Sequence, residues 1–112
     1  MKKVVGIDIG GTNLRIGIVD EDLNILNSRK ISSRFLDEKD GYKNLPEIIR
    51  KYINETSDKD IAGVSIGVPS SVSPDRKTVI LAPNLKGLSG INLKDYLSNE
   101  LELPIILDRD VN

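Results

Sequence analysis

The chain has 112 residues, of which 38% are hydrophobic and 29% are charged. This length corresponds to one domain, since single domains cluster at about 100–150 residues. The 16 Lys and Arg residues nearly balance the 17 Asp and Glu residues, for a net charge of −1. That balance excludes the basic surface of a nucleic-acid-binding protein and gives no polybasic signal for an anionic membrane. We therefore expect neither nucleic acid nor a membrane among the partners.

The sequence contains no cysteine and no histidine. Without cysteine there is no disulfide framework, thiolate metal site or thiol nucleophile. Without histidine the commonest general base is missing, so acid–base chemistry has to use carboxylates, Lys or Tyr. No apolar run approaches the roughly 20 residues of a membrane span. An acid follows the short apolar start of the chain too soon for a signal peptide, so we expect a cytoplasmic protein.

Three strands are predicted first, over residues 3–9, 14–20 and 24–33. The first two are rich in apolar or β-branched residues, and the third has Ile25 and Ile31 among polar residues. The connections are short enough for an antiparallel meander. Residues 34–43 are polar and predict a loop. The first half of the sheet is therefore expected to be formed by consecutive, antiparallel strands.

A helix is predicted over residues 45–53, because the apolar residues recur on one face at helical spacing. Asn44 and Glu47 have the spacing of a capping box at its start. The next strand, over residues 61–68, ends at Pro69. A helix between two strands predicts a crossover to a parallel partner.

The second half continues with a short strand-like piece at 78–81 within a loop-rich stretch. A second helix starts at Asn92, with Asp95 at the capping-box position, and is predicted to end at Pro104. The last strand covers residues 105–107. The order βββαβαβ predicts an α/β fold with a five-stranded mixed sheet flanked by helices.

The most informative local pattern follows the first strand, where an acid precedes two glycines and a threonine. It runs Asp8, Ile9, Gly10, Gly11, Thr12 and Asn13. A glycine pair permits a tight turn with positive φ, which can direct backbone N–H groups at one anion. Asp8 is placed to hold a divalent cation, directly or through water, beside phosphates. The alternative is an ordinary hairpin whose glycines serve only the turn.

Two other stretches are candidates for substrate contacts. Asp110 follows the last predicted strand, where acids face the ligand crevice of α/β sheets, and it could accept a proton from a substrate hydroxyl. The alternative for this stretch is a solvated turn. The loops after the fourth strand supply Ser and Asn side chains such as Ser70 and Asn84, which suit a polyol. Plain turn chemistry explains the same residues equally well.

Together these segments resemble the ROK family of sugar kinases (repressors, open reading frames and kinases), within the actin/hexokinase-like ATPase superfamily. The matching segments are Asp8 to Asn13 with Arg15, Gly67 to Pro69, Ala82 to Leu85, and Leu103 to Ile105 continuing into Arg109 to Asn112. The resemblance covers essentially the whole chain. It implies a ribonuclease H-like or actin-like ATPase lobe, with residues 1–112 forming the N-terminal lobe of a two-lobe kinase whose C-terminal lobe lies outside this chain.

The resemblance also implies roles for individual residues. Nucleotide phosphates would be bound by Gly6, Ile7, Asp8, Ile9, Gly10, Gly11, Thr12 and Asn13. Mg²⁺ would be held by Asp8 through water, and Asp110 would be the catalytic base. The sugar would be bound by Gly67, Pro69, Ser70, Asn84, Arg109 and Asp110. Many family members have Gly where this chain has Ser70 and Asn where it has Arg109.

The implied activity is ATP-dependent phosphorylation of a hexose hydroxyl, with ATP and Mg²⁺ as cofactors. Within the family, D-allose kinases are the most similar in the combination of four segments: Val72 and Ser73, Arg76 to Ile80, Pro83 to Leu85, and Arg109 to Asn112. The implied partners are a sugar, a nucleotide, the C-terminal lobe of the same protein and a second copy in a homodimer. The 112-residue chain alone is expected to show no appreciable kinase turnover.

Two other functions are alternatives to a sugar kinase. The first is a sugar-binding ROK transcriptional repressor, which would carry a winged helix before the kinase-like part. A first strand within three residues of Met1 and a net charge of −1 argue against it. The second is an actin-like ATPase with a structural role, against which the context of Asp110 favours a sugar site.

Overall fold

The computed structural model describes residues 3–56, 60–82 and 85–109. The strands and helices are β1 (Lys3–Ile9), β2 (Asn13–Val19), β3 (Ile25–Ser32), α1 (Leu45–Thr56), β4 (Ile61–Val68), β5 (Ser71–Val72), β6 (Val79–Leu81), α2 (Leu93–Leu101) and β7 (Ile105–Arg109). Each predicted element is present, with bounds that differ by up to three residues. No helix in these described ranges is long and apolar enough to cross a membrane.

Five strands form one sheet in the order β3-β2-β1-β4-β7. The pairs β1–β2 and β2–β3 are antiparallel, whereas β4 pairs parallel with β1 and β7 pairs parallel with β4. The predicted meander, the two parallel returns and the mixed five-stranded sheet are therefore confirmed. The strands β5 and β6 form a separate antiparallel hairpin. The two-residue strand β5 was not predicted, because two residues are too few to show an alternating pattern.

The helices and one face of the sheet enclose the core. Alternation along β1 points Val5, Ile7 and Ile9 to that face, where they are buried. Both helices contribute to the same core cluster, as predicted from their apolar faces, for example through Ile49 and Leu97. Burying one such side chain stabilises the fold by about 1.5–3 kcal/mol, so these packed faces fix how the strands line up.

The other face of the sheet carries small residues near its centre. Gly6 lies between Gly17 and Ser65 in the strand pairing. These three residues contribute to the lining of an open cavity of about 280 Å³. Gly17 also tolerates little extra volume, because a Cβ there would lie 3.1 Å from Ile25 Cγ2.

The residues before α1 are not the loop that was predicted. Two short 3-10 turns, Arg34–Asp37 and Gly41–Asn44, occupy this segment, and Leu36 is fully buried. The capping box proposed for Asn44 and Glu47 is wrong, because Asn44 belongs to the second turn and its Nδ2 donates to the Gly41 carbonyl at 3.2 Å. A 3-10 turn that continues directly into a helix leaves no separate cap position.

The ends of α2 are set by local geometry. Asn92 Oδ1 accepts a hydrogen bond from the Asp95 backbone N–H at 3.1 Å, which confirms the predicted cap. The helix ends three residues earlier than Pro104, because Glu102 has a left-handed conformation with φ of 55°. Pro104 therefore follows the helix end and does not cause it.

Replacing Tyr52 by Phe is expected to destabilise the domain by about 1 kcal/mol, the usual value of a buried hydrogen bond. Tyr52 joins α1 to the edge strand β3, since its hydroxyl donates to the Asn27 carbonyl at 2.6 Å.

Burial raises the pKa of the Tyr52 phenol, and the nearby Arg29 charge opposes that rise. The stabilisation that comes from the raised Tyr52 pKa is fully present below the pKa of Tyr52 in the unfolded chain. It is lost as pH rises through the pKa of Tyr52 in the folded protein. Urea unfolding should therefore show that the free energy of unfolding falls more between neutral pH and about pH 11 for the native protein than for Tyr52→Phe. Equal falls in the two proteins would contradict the prediction.

Candidate functional site

The parallel strands β1, β4 and β7 bring two acids and a glycine side by side near their carboxyl ends. One acid lies on each side of the glycine. Asp8 pairs in register with Gly67, and Gly67 pairs with Asp108. Neighbouring strands are about 4.8 Å apart, so the two Asp α-carbons lie about 10 Å apart. Gly67 has no side chain, so no side chain of β4 stands between the two exposed aspartates at this level of the sheet. Open α/β sheets bind ligands at this edge, which agrees with the predicted location of the site.

The connection between β1 and β2 is a tight turn over residues 10–13, called the glycine turn below. The Gly10 N–H donates to the Asn13 carbonyl at 2.8 Å. The prediction of positive φ at Gly10 and Gly11 is wrong, because among the described glycines only Gly90 has it. Gly10 is needed for a different reason, since a Cβ there would lie 2.9 Å from the Asn13 carbonyl oxygen. Its N–H is used inside the turn, which leaves exposed Gly11 and Thr12 to meet an anion.

A buried serine holds the glycine turn from the side. Ser33 is 0% exposed, its backbone N–H donates to the Thr12 carbonyl at 3.0 Å, and its Oγ donates to the Gly10 carbonyl at 2.8 Å. Ser33 was predicted only as the last residue of the third strand, without a role in the site. The pairing of Asn13 with Ser32 is what brings Ser33 to the turn, and that register is not visible in the local sequence.

Asp8 is the described residue best placed for a metal ion. It is the next-to-last residue of β1, has an exposed side chain and pairs across the strands with Arg15. In residues 3–56, 60–82 and 85–109 no group of three or more acidic side chains could hold a metal ion together. A magnesium ion on a nucleotide needs only one or two protein carboxylates, because phosphate oxygens and water complete its shell. The Asp8 carboxylate fits that requirement.

The hydrophobic residues of the predicted phosphate motif serve the core. The side chains of Ile7 and Ile9 are 4% and 0% exposed, beneath the helices. A nucleotide could therefore meet only the backbone at these two positions. Gly6 lies two residues before Asp8, on the same face of β1.

Ser70 carries a buried hydroxyl with no partner. It follows the end of β4, is 9% exposed, and its Oγ has no hydrogen-bond partner in the described part of the chain. An unsatisfied buried polar group costs about 1–3 kcal/mol, so such groups usually have a function or a ligand. Pro69 beside it is exposed. The predicted sugar-binding position therefore holds a buried hydroxyl with no hydrogen-bond partner among the described residues.

The hairpin of β5 and β6 lies next to the end of β7. Its turn is closed by Ser73, whose Oγ accepts from the Thr78 N–H at 3.0 Å and donates to Asp75 at 2.5 Å. This hydrogen bond lowers the pKa of the Asp75 carboxyl. Arg76 has a left-handed conformation and forms an ion pair with Asp108. The hairpin that follows Ser70 is thus linked to the strand that leads to Asp110.

The roles of three predicted site residues stay predictions. Asn84 and Asp110 lie outside the described residues, so their roles stay predictions. Arg109 ends β7 beside Val68, and its role in sugar binding also stays a prediction.

The strand order, the helices on the sheet and the acid–glycine turn at its carboxyl edge define a lobe of the actin-like ATPase class. Residues 4–112 match the ROK family, and the chain belongs to that family. It is 32% identical to a glucokinase from Thermotoga maritima, over 98% of this chain and 34% of the relative. The chain thus spans about a third of the length of the curated relatives it matches.

A solved structure and a second kind of relative complete the comparison. A ROK glucokinase from Streptomyces griseus, solved with glucose and AMPPNP, superposes with a TM-score of 0.80 at 29% identity, over 98% of this chain and 34% of that one. A xylose repressor from Caldicellulosiruptor bescii is 26% identical over 97% of this chain and 28% of its own length. Proteins named as kinases and as a repressor therefore share sequence similarity with this lobe.

Proposed function

We propose that this chain is the N-terminal lobe of a sugar kinase that transfers the γ-phosphoryl group of ATP to a hexose hydroxyl. The observation that carries the proposal is that two groups of candidate residues lie at the same edge of the sheet. The glycine turn with Asp8 lies on one side of Gly67, and Ser70 with the β5–β6 hairpin lies beyond it. The similarity to glucokinases, one of them solved with glucose and AMPPNP, supports the same function.

The nucleotide side of the proposed site uses the glycine turn. The exposed backbone of Gly11 and Thr12 would donate hydrogen bonds to phosphate oxygens, and Asp8 would hold Mg²⁺ through water. When bound, Mg²⁺ supplies positive charge that offsets the charge of the phosphates. The C-terminal lobe of the same protein is proposed to complete the nucleotide site, and the whole protein is proposed to form a homodimer.

The sugar side uses the residues after β4 and β7. The Ser70 hydroxyl, which has no hydrogen-bond partner among the described residues, would bond to a sugar hydroxyl. Asn84 and Arg109 are proposed to supply further polar contacts. Asp110 would accept the proton of the attacking hydroxyl while the new O–P bond forms and the bond to the ADP oxygen breaks. That proton then passes to solvent. The resemblance of residues 72–80 to D-allose kinases makes D-allose one of the sugars to test.

The proposal is tested with the full-length protein, a panel of aldohexoses that includes D-glucose and D-allose, and a coupled assay for ADP. We expect ADP release that depends on one or more of the sugars, and no appreciable release from the 112-residue chain alone. Sugar binding by the full-length protein without ADP release would refute the kinase and favour the repressor, which the xylose repressor similarity makes the second candidate. Nucleotide-dependent sedimentation without either would favour the structural ATPase.

Replacing Ser70 by Ala is expected to weaken sugar binding and to stabilise the free protein. Loss of one hydrogen bond should raise the KM for the sugar about 5- to 10-fold. The free protein should gain about 1 kcal/mol in unfolding free energy, because a buried hydroxyl without a partner is removed. Kinetics and urea unfolding measure the two effects.

The matched control for Ser70 is Ser89. Its Oγ accepts from the Ala82 N–H at 2.9 Å, so Ser89→Ala removes a hydroxyl that does have a hydrogen-bond partner. We expect a loss of about 1 kcal/mol in unfolding free energy. Destabilisation of equal size in both variants would contradict the proposed role of Ser70.

A further inference from the structure

The glycine turn is exposed, yet its shape is held from inside the protein. Gly11 and Thr12 are exposed. One hydrogen bond closes the turn internally, from the Gly10 N–H to the Asn13 carbonyl. The other two described bonds come from Ser33 and end on the carbonyls of Gly10 and Thr12. These two carbonyls lie on either side of Gly11, so Ser33 holds the segment that offers its N–H groups to an anion.

The Ser33 side chain donates its hydrogen bond from a buried position. The residue is 0% exposed, and its Oγ lies 2.8 Å from the Gly10 carbonyl oxygen. In a buried setting a hydrogen bond is stronger than in water, and losing the donor leaves an unsatisfied carbonyl. The Gly10 carbonyl would then gain by rotating toward solvent, and that rotation turns the peptide that carries the Gly11 N–H.

Ser33 is itself fixed by the core. Its carbonyl accepts from the Leu36 N–H at 2.9 Å, and Leu36 is fully buried. The Leu36 carbonyl in turn accepts from the Gly87 N–H at 2.7 Å. Gly87 has no room for a side chain, because a Cβ there would lie 2.2 Å from the Glu38 carbonyl oxygen. The support for the turn therefore runs from Ser33 into closely packed backbone, as a precise binding loop requires.

We propose that Ser33 is a positioning residue for nucleotide binding, which pre-arranges the glycine turn before the phosphates arrive. This inference rests on the proposed function, because it takes the turn as the phosphate site. Ser33 does not touch the nucleotide. Its effect is to keep the Gly11 and Thr12 N–H groups in one arrangement, so that binding does not have to order the turn.

The test uses the full-length protein and Ser33→Ala, Ser33→Cys and Ser33→Thr. Cys keeps the approximate shape of Ser but is a weak donor, whereas Thr keeps the hydroxyl. Titration with Mg–ADP should give a Kd about 5- to 10-fold higher for Ala and Cys, and within about twofold of the native value for Thr. The KM for ATP should follow the same order, whereas the KM for the sugar should stay within about twofold.

The control is Thr56→Ala, which removes a hydroxyl that donates to the Ile53 carbonyl at 2.9 Å near the end of α1. It should lower the Tm without changing the Kd for Mg–ADP. Native nucleotide affinity in both Ser33→Ala and Ser33→Cys, with a Tm loss like that of Thr56→Ala, would overturn the positioning role alone. Absence of Mg–ADP binding by the native full-length protein would overturn the proposed function, and this inference with it.

Discussion

Replacing Asp110 by Asn in the full-length protein is expected to lower kcat by about 10³-fold, within the range that general bases contribute. An amide keeps nearly the same size and can still bond to the sugar, but it cannot accept the proton of the attacking hydroxyl. The KM for the sugar should therefore change much less than kcat. Steady-state kinetics with the best sugar of the panel measure both values.

The control for Asp110 is Asp108→Asn, which removes another carboxylate two residues earlier in the sequence. Asp108 pairs with Arg76 at an exposed position, and exposed ion pairs are worth about 1 kcal/mol or less. We expect the effect of Asp108→Asn on kcat to stay within about tenfold. Equal losses in the two variants would contradict the assignment of the base to Asp110.

Replacing Gly10 by Ala is expected to lower kcat/KM for ATP by about 100-fold, the cost of misplacing a reacting group by about 1 Å. The new Cβ would lie 2.9 Å from the Asn13 carbonyl oxygen, closer than a real Cβ approaches backbone. The hydrogen bond from the Gly10 N–H to that oxygen would have to lengthen. The exposed part of the glycine turn would move with it, so kinetics with varied ATP measure the effect.

Gly17→Ala is the matched control for Gly10→Ala, since it adds the same methyl group to a crowded glycine outside the glycine turn. The atoms nearest to its Cβ belong to the Ile25 and Ser28 side chains, at 3.1 and 3.3 Å. These can give way by small shifts, so we expect some loss of stability but less than threefold change in kcat/KM for ATP. A similar loss in both variants would mean that the effect at Gly10 is general destabilisation.

The strand and helix order was predictable because each element repeats its pattern many times. Alternation in β1 and the apolar face of α1 each involve several residues, so local exceptions do not hide them. The cap at Asn92 was predictable for a similar reason, since capping depends on residues three apart. The cap at Asn44 failed because a 3-10 turn ran into the helix, and no residue pattern marks that continuation.

The candidate site was predictable in its residue types and not in its bonding. Asp8 and the two glycines after it are neighbours in sequence, so their proximity follows from the chain itself. The reason that position 10 requires glycine is a contact with Asn13, which depends on how the turn closes. Ser33 reaches the turn only through the pairing of β2 with β3, and a residue 23 positions away leaves no local trace.

By itself the sequence determined the order of elements, the apolar faces and the acid–glycine–glycine–threonine pattern at the end of the first strand. These depend on short-range periodicity and on neighbouring residues. The tertiary structure decided that Asp8 and Asp108 lie on either side of Gly67, that the buried Ser70 hydroxyl has no partner among the described residues, and that Ser33 holds the glycine turn. Each of these depends on strand register and burial, which arise only when distant parts of the chain pack together.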